Sequence, residues 1–186
     1  MFAGRASHVR LANPIAATMS VMRSSLVGGL VATLAANLNR GETQVRLVEI
    51  GRCFEGEKPD LAVHPERIAG LAYGDRIPEQ WAEKTPAADF FDIKGDLEAL
   101  AAPLVLEFEA TTHPSLHPGR SARVKLAGRP IGVVGELHPR LQQQFELPSA
   151  PVLFEVLTGP LLEGADRKST RLNSSHIQKS RMPSSA

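Results

Sequence analysis

Several things are scarce in this chain, and each shortage closes a class of function. A single cysteine, Cys53, stands among 186 residues. That excludes an internal disulfide framework and any multi-cysteine zinc site, and it suits a reducing cytoplasm. No apolar run approaches the roughly 18 residues of a membrane-spanning helix, and the N-terminus lacks the basic, apolar, small-residue order of a signal peptide. No membrane partner is therefore expected, and a cytoplasmic location is. Nucleotide signatures are also missing: there is no GxxxxGK[ST] and no GxGxxG following a strand. Ser24, Ser25 and Cys53 have no histidine at a recognisable motif spacing, so a nucleophilic triad has no basis. What is present is an ordinary composition, 42% hydrophobic and 22% charged, enough for one globular domain with a real core.

The net charge of +1 conceals an uneven distribution. From Asp166 onward the text DRKSTRLNSSHIQKSRMPSSA is polar, serine-rich and basic, with no apolar period of 2 or 3.6 residues. It reads as a disordered tail, as a basic arm for nucleic acid, or as text that is not native. The third reading is favoured, because Asp166–His176 and Ser180–Ala186 can be written in codons that spell a common sequencing adapter. Ile177–Lys179 then fall where such an adapter carries a variable index. Arg167, Lys168, Arg171, Lys179 and Arg181 stand there against Asp166 alone, so the charge without the segment falls from +1 to −3. Residues 1–165 are then the credible module, and 166–186 are set aside.

Within that module, Ser24 or Ser25 precedes Leu26, Leu30, Leu34 and Leu38, an i, i+4 row with Val27 and Val31 beside it. This predicts an amphipathic helix stopped at Asn39-Arg40-Gly41. Gly28 and Gly29 weaken its first turn by roughly 1 kcal/mol each, which close packing against another backbone would explain. Val45–Phe54 carries apolar residues on both sides, the pattern of a central strand, and Arg67–Tyr73 is a second strand paired with it as a hairpin. After a polar loop with Pro78, Trp81 and Pro86, the row Ile93, Leu97, Leu100 predicts a helix over Phe90–Leu100, with Asp89, Asp92 and Asp96 as acids suited to its N-terminus. Leu104, Leu106 and Phe108 mark a half-buried strand. Ser121–Leu126 and Ile131–Leu137 form a hairpin about Ala127-Gly128-Arg129-Pro130. Pro139–Phe145 suits a short helix and Pro151–Leu157 a last strand. Some six strands and two longer helices describe an α+β fold, a largely antiparallel sheet with helices on a face.

Few of the polar residues carry chemistry on their own. His113 and His117 are four apart, but His64, His113, His117 and His138 each precede a proline. That disfavours helical geometry, so ordered turns with imidazoles bonding nearby backbone are preferred to a metal site. The segment His117-Pro118-Gly119-Arg120 could cradle a phosphate, yet a tight turn entering a strand accounts for the same residues. Gly132 and Gly135, inside a strand, indicate a bulge or a close backbone approach. Cys53 reads as a small core residue. Glu49 and Arg52 in the first strand, and Glu136 beside His138, are charges in apolar surroundings, and burial would require each to be paired.

In combination, the blocks NPIAATMSVMRSSLVGGLVATLAANLNR, VRLVEIGRCF, RIAGLAYG, EQW, DFFDIKGDLEAL, HPSLHPGRSARV, GVVGELHP and PVLFEV resemble the β subunit of bacterial phenylalanine–tRNA ligases, in that order and over about Arg10 to Leu157. The resemblance implies a class II aminoacyl-tRNA synthetase-like antiparallel sheet flanked by helices, in a noncatalytic copy. It implies an α subunit as partner, in a heterotetramer of two α and two β, with the α subunit holding phenylalanine and ATP. No glycine-rich stretch ending in an ATP-binding arginine occurs, and the family's RNA-binding, editing, magnesium and anticodon modules are not represented. Hence no catalytic, cofactor or metal residue is assigned in this fragment, and ATP, magnesium and tRNA belong to the whole enzyme. The candidates for subunit contact are Met19–Asn39 with Arg23, Glu49, Arg52, Arg120 and Glu136, and a module from a large assembly is expected to expose an apolar patch. A free-standing RNA-binding module using the HPGR turn and basic tail is the alternative, and a hydrolase using His113 or His117 a third reading.

Deleting Asp166–Ala186 is expected to leave the melting temperature and any RNA affinity unchanged when measured at about 50 and 200 mM salt. RNA binding that disappears with the segment would restore the basic-arm reading.

Overall fold

The computed structural model describes residues 9–15, 20–56, 64–77 and 86–164. Trp81 and the segment 166–186 lie outside the described residues, as does Met19. The elements follow in the order α1 (Val27–Leu38), β1 (Val45–Arg52), β2 (Glu66–Tyr73), α2 (Phe90–Ala101), β3 (Leu106–Ala110), β4 (Leu116–Leu126), β5 (Arg129–Leu137), α3 (Pro139–Gln144) and β6 (Val152–Leu157). The six strands form one sheet in the order β1-β2-β6-β5-β4-β3, with antiparallel pairing throughout. A β1–β2 hairpin and a β3–β4–β5 meander thus make two halves, and the last strand joins them by entering between β2 and β5.

Because side chains alternate across a strand, each strand serves two cores. On one face Ala69, Leu71 and Tyr73 of β2 and Leu153 of β6 meet Val27, Leu30, Val31 and Leu34 of α1, together with Leu141 of α3. On the other, Ile68 and Ala72 of β2 and Val152, Phe154 and Val156 of β6 meet Ile93, Leu97 and Ala101 of α2. The phenyl ring of Phe154 lies where a side chain at Gly70 would be, so the glycine makes room for the ring. Gly132 is closed in by the Glu155 carbonyl of the neighbouring strand, the close approach expected of a glycine there.

Local chemistry accounts for the ends of the elements. Gly41, at φ +93°, takes the left-handed conformation that ends α1. Asp89 caps α2 by accepting from the Phe91 and Asp92 N–H groups at 2.8 and 3.1 Å, and Asp92 returns the bond to the Asp89 N–H at 2.9 Å. Ala127 and Gly128, both at positive φ, form the two-residue turn between β4 and β5.

Four expectations are corrected. β1 is an edge strand, not a central one: the main contacts of α2 fall on β5 and β6, and Val48 and Ile50 are 69% and 62% exposed. Leu100 is also exposed, because the buried row of α2 runs i, i+4, i+8 through Ile93, Leu97 and Ala101. The HPGR segment is no turn but part of β4, which begins at Leu116 and is bulged between Leu116 and Ser121. Gly29 faces the Glu49 carboxylate at 3.5 Å from where a Cβ would stand, rather than another backbone. Residues 158–164 are helical as well, without a periodic signal in the text.

Leu34 is fully buried under α1, whereas Thr33 faces outward. Leu34→Ala should cost about 2–5 kcal/mol in denaturant unfolding and Thr33→Ala no more than about 0.5 kcal/mol.

Candidate functional site

The approach to α1 carries Arg23 across the end of β1. Its guanidinium pairs with the Glu49 carboxylate, and its Nε donates to the Arg52 carbonyl at 3.0 Å. The guanidinium lies over Gly51, in space that a Cβ at that position would share. The Arg52 side chain itself is exposed and has no partner among the described residues. Arg120 on β4 and Glu136 on β5 form a second group, in which one guanidinium nitrogen donates to both carboxylate oxygens at 2.9 Å. The five residues singled out from the sequence are therefore brought into two groups, not one. β1 and β4 are four strand positions apart, roughly 19 Å at about 4.8 Å per step.

Between those groups lies a buried ion cluster that the sequence reading did not single out. Glu155 of β6, 6% exposed, accepts from the Leu26 N–H at 2.6 Å and from the Ser25 hydroxyl at 3.0 Å, and it pairs with Arg67 of β2 at 2.6 Å. Ser25 also accepts from the Val27 N–H at 3.2 Å, while the N-cap position of α1 falls on Leu26, which has no side-chain cap bond. Arg67 pairs in addition with Glu55. Burial works against the Arg67 charge, but the two carboxylates outweigh it and raise the pKa above its ordinary value. The signal was present in the text: Glu155 stands in VLFEVL, an acid inside an apolar strand, the same pattern that drew attention to Glu49 and Glu136.

Cys53 lies beside the cluster, fully buried. Burial, with the Glu155 charge nearby, pushes its thiol up to about 11. It is a core residue as expected, and its microenvironment opposes the thiolate a nucleophile needs. His113 shares a cavity of about 260 Å³ with Arg67, Arg123 and Glu155. Burial lowers its pKa; the Glu155 charge acts the other way and Arg67 with burial. The imidazoles of His113, His117 and His138 each accept a backbone N–H two residues on, at 3.3, 3.1 and 3.1 Å, the bonding to nearby backbone expected of them, although His117 makes it within β4 and not in a turn. Among the described residues no group of three or more His, Cys, Asp or Glu is arranged to hold a metal ion. No described helix is long and apolar enough to cross a membrane.

The architecture is an antiparallel sheet packed between helices, the α+β class to which a synthetase-like fold belongs. The same architecture occurs in a pyrrolysyl-tRNA synthetase of Desulfitobacterium hafniense, which aligns with a TM-score of 0.57 at 15% identity over 86% of this chain and 53% of that one. The chain belongs to the family described as the phenylalanyl-tRNA synthetase beta chain CLM domain, which it matches over residues 1–157. A phenylalanine–tRNA ligase beta subunit of Burkholderia lata is 50% identical over 172 residues, 88% of this chain. Those of Dechloromonas aromatica and Aromatoleum aromaticum are 51% and 52% identical over 80% and 83% of the chain. The chain spans about a fifth of the length of these relatives: 21%, 19% and 20%.

Native Cys53 should resist alkylation by iodoacetamide at about pH 8, reacting at the rate of global unfolding, while the denatured chain reacts freely. A thiol raised in the fold adds stability that is complete below the ordinary value of 9.0 and is lost as pH climbs toward about 11. Cys53→Ser should weaken that alkaline loss in a pH series of melts.

Proposed function

We propose that this module is a noncatalytic scaffold of the β subunit of phenylalanine–tRNA ligase, serving aminoacylation by holding the α subunit. On this reading the α subunit supplies the phenylalanine and ATP site, two α and two β subunits assemble, and tRNA and magnesium are engaged by modules outside this chain. The carrying observation is that the charges singled out in the sheet, Arg52 excepted, are used within the module. Arg23 with Glu49, Arg67 with Glu155 and Glu55, and Arg120 with Glu136 bind each other and the start of α1. Such closed pairs position elements; they offer no free base or nucleophile for acyl transfer.

Two surfaces support contact with a neighbour. Arg23 and Arg120 remain 46% and 63% exposed on their side chains, so their pairs can be extended by a partner's charges. On the α2 face, Val48 and Leu100 line an open groove of about 500 Å³ floored by Ile68, Ala72, Ile93 and Phe154, the kind of apolar exposure expected of a module from an assembly.

The test uses the full-length β subunit with the α subunit. Combined Arg23→Glu, Arg120→Glu and Glu136→Arg changes should weaken complex formation at least about tenfold by sedimentation, since exposed pairs contribute up to about 1 kcal/mol each. The Arg120→Glu/Glu136→Arg swap alone keeps the internal ion pair while reversing the charge offered outward, which separates interface loss from misfolding. Unchanged assembly with all three reversed would remove the assignment.

A further inference from the structure

Three of the His-Pro dipeptides use the imidazole in the same way, and two of them are joined. His113 Nδ1 accepts the Ser115 N–H at 3.3 Å, and the Leu116 N–H returns to the His113 carbonyl at 3.0 Å. Ser115 is fully buried, and its carbonyl accepts the His138 N–H at 2.9 Å. His138 Nδ1 then accepts the Arg140 N–H at 3.1 Å, while its carbonyl receives the Leu141 and Gln142 N–H groups at 2.9 and 3.0 Å, starting α3. One ring thus fixes each end of a continuous relay from the entrance of β4 to the helix that seats Leu141 in the α1-side core. An Nδ1 that accepts leaves the proton of the neutral ring on Nε2. Adding a second proton turns each Nδ1 into a donor facing a donor.

We infer that this corner is a proton-operated latch: neutral His113 and His138 hold Ser115 and the first turn of α3, and protonating the rings releases them. The groups facing His113 are Glu155 of β6, which favours the proton, and Arg67 of β2, which opposes it, with Arg123 of β4 lining the same cavity. The hollow beside His138 is lined by Pro114, Leu141, Gln143, Gln144 and Arg140, of which Arg140 is the charged residue. Burial also disfavours the charged ring at His113, so the latch is shut at neutral pH. The sign follows: the fold binds fewer protons at this site than the unfolded chain, and the contribution, complete above the ordinary value of 6.5, is lost as pH falls below it. The third ring, His117, bonds Gly119 in the β4 bulge and stands outside the relay.

Hydrogen exchange followed by NMR on the 186-residue chain between about pH 7.5 and 5 tests this, with rates corrected for intrinsic exchange. The Ser115 and Arg140 amides should lose protection about fivefold on acidification, as expected for one modest hydrogen bond. The Phe154 amide on central β6 should not change. His113→Asn, whose amide oxygen can accept the same N–H without titrating, should keep Ser115 protected at both pH values. His138→Asn should do so for Arg140, and His113→Phe should leave Ser115 unprotected at both. Flat protection at Ser115 and Arg140, parallel loss at Phe154, or an Asn variant that still responds to pH would each overturn the inference.

Discussion

The structure depends on one carboxylate. Glu155 sits on the strand that joins the two halves of the sheet, is nearly excluded from water, and is satisfied only by groups from elsewhere: the Leu26 N–H, the Ser25 hydroxyl and Arg67. An unpaired charge at that depth would cost several kcal/mol, so β2, β6 and the start of α1 must arrive together in one arrangement. A second acid, Glu49, lies near the first turn of the same helix and is held by Arg23. Negative charge at a helix N-terminus is favourable in itself, and both acids stand near that end of α1. The helix is thereby placed in register on the sheet, where apolar packing alone would tolerate sliding.

The proposed scaffold role rests on the same closure: the interior charges of the central strands are turned on each other. The thiol of Cys53 is kept protonated by the same burial and the same Glu155 charge that organise the cluster. Among the groups available to neighbours are the outward sides of the Arg23 and Arg120 pairs and the bare face of β1. An edge strand with Val48 and Ile50 in water is poorly protected in isolation, whereas in an assembly such a strand is a contact surface. The His113–Ser115–His138 relay starts beside the Glu155 cluster and ties the entrance of β4 to α3 through backbone groups and imidazoles.

The elements were largely legible because their signals are local. The leucine row of α1, the Asp89 cap of α2, the Ala127-Gly128 turn and the proline that starts α3 each act within a few residues, and each structure lies where that chemistry puts it. The family was legible from ordered blocks, no one of which was sufficient. The HPGR segment misled because histidine, proline and glycine also serve a bulged strand, and only pairing with β5 distinguishes that from a turn. The candidate site was half legible. Charges inside apolar strands marked Glu49 and Glu136, but Glu155, with the same signature, has its partners 88 and 129 residues away.

By itself, then, the sequence determined which segments are helices and strands, the antiparallel character of the hairpins, and the family, since all of these follow from short-range patterning. The tertiary structure alone decided that β6 enters the middle of the sheet, that β1 lies at its edge, and which of the buried charges meet. The physical reason is that strand order and ion pairing are set by where two apolar faces close over each other. Alternating residues record that a face exists but not which helix covers it.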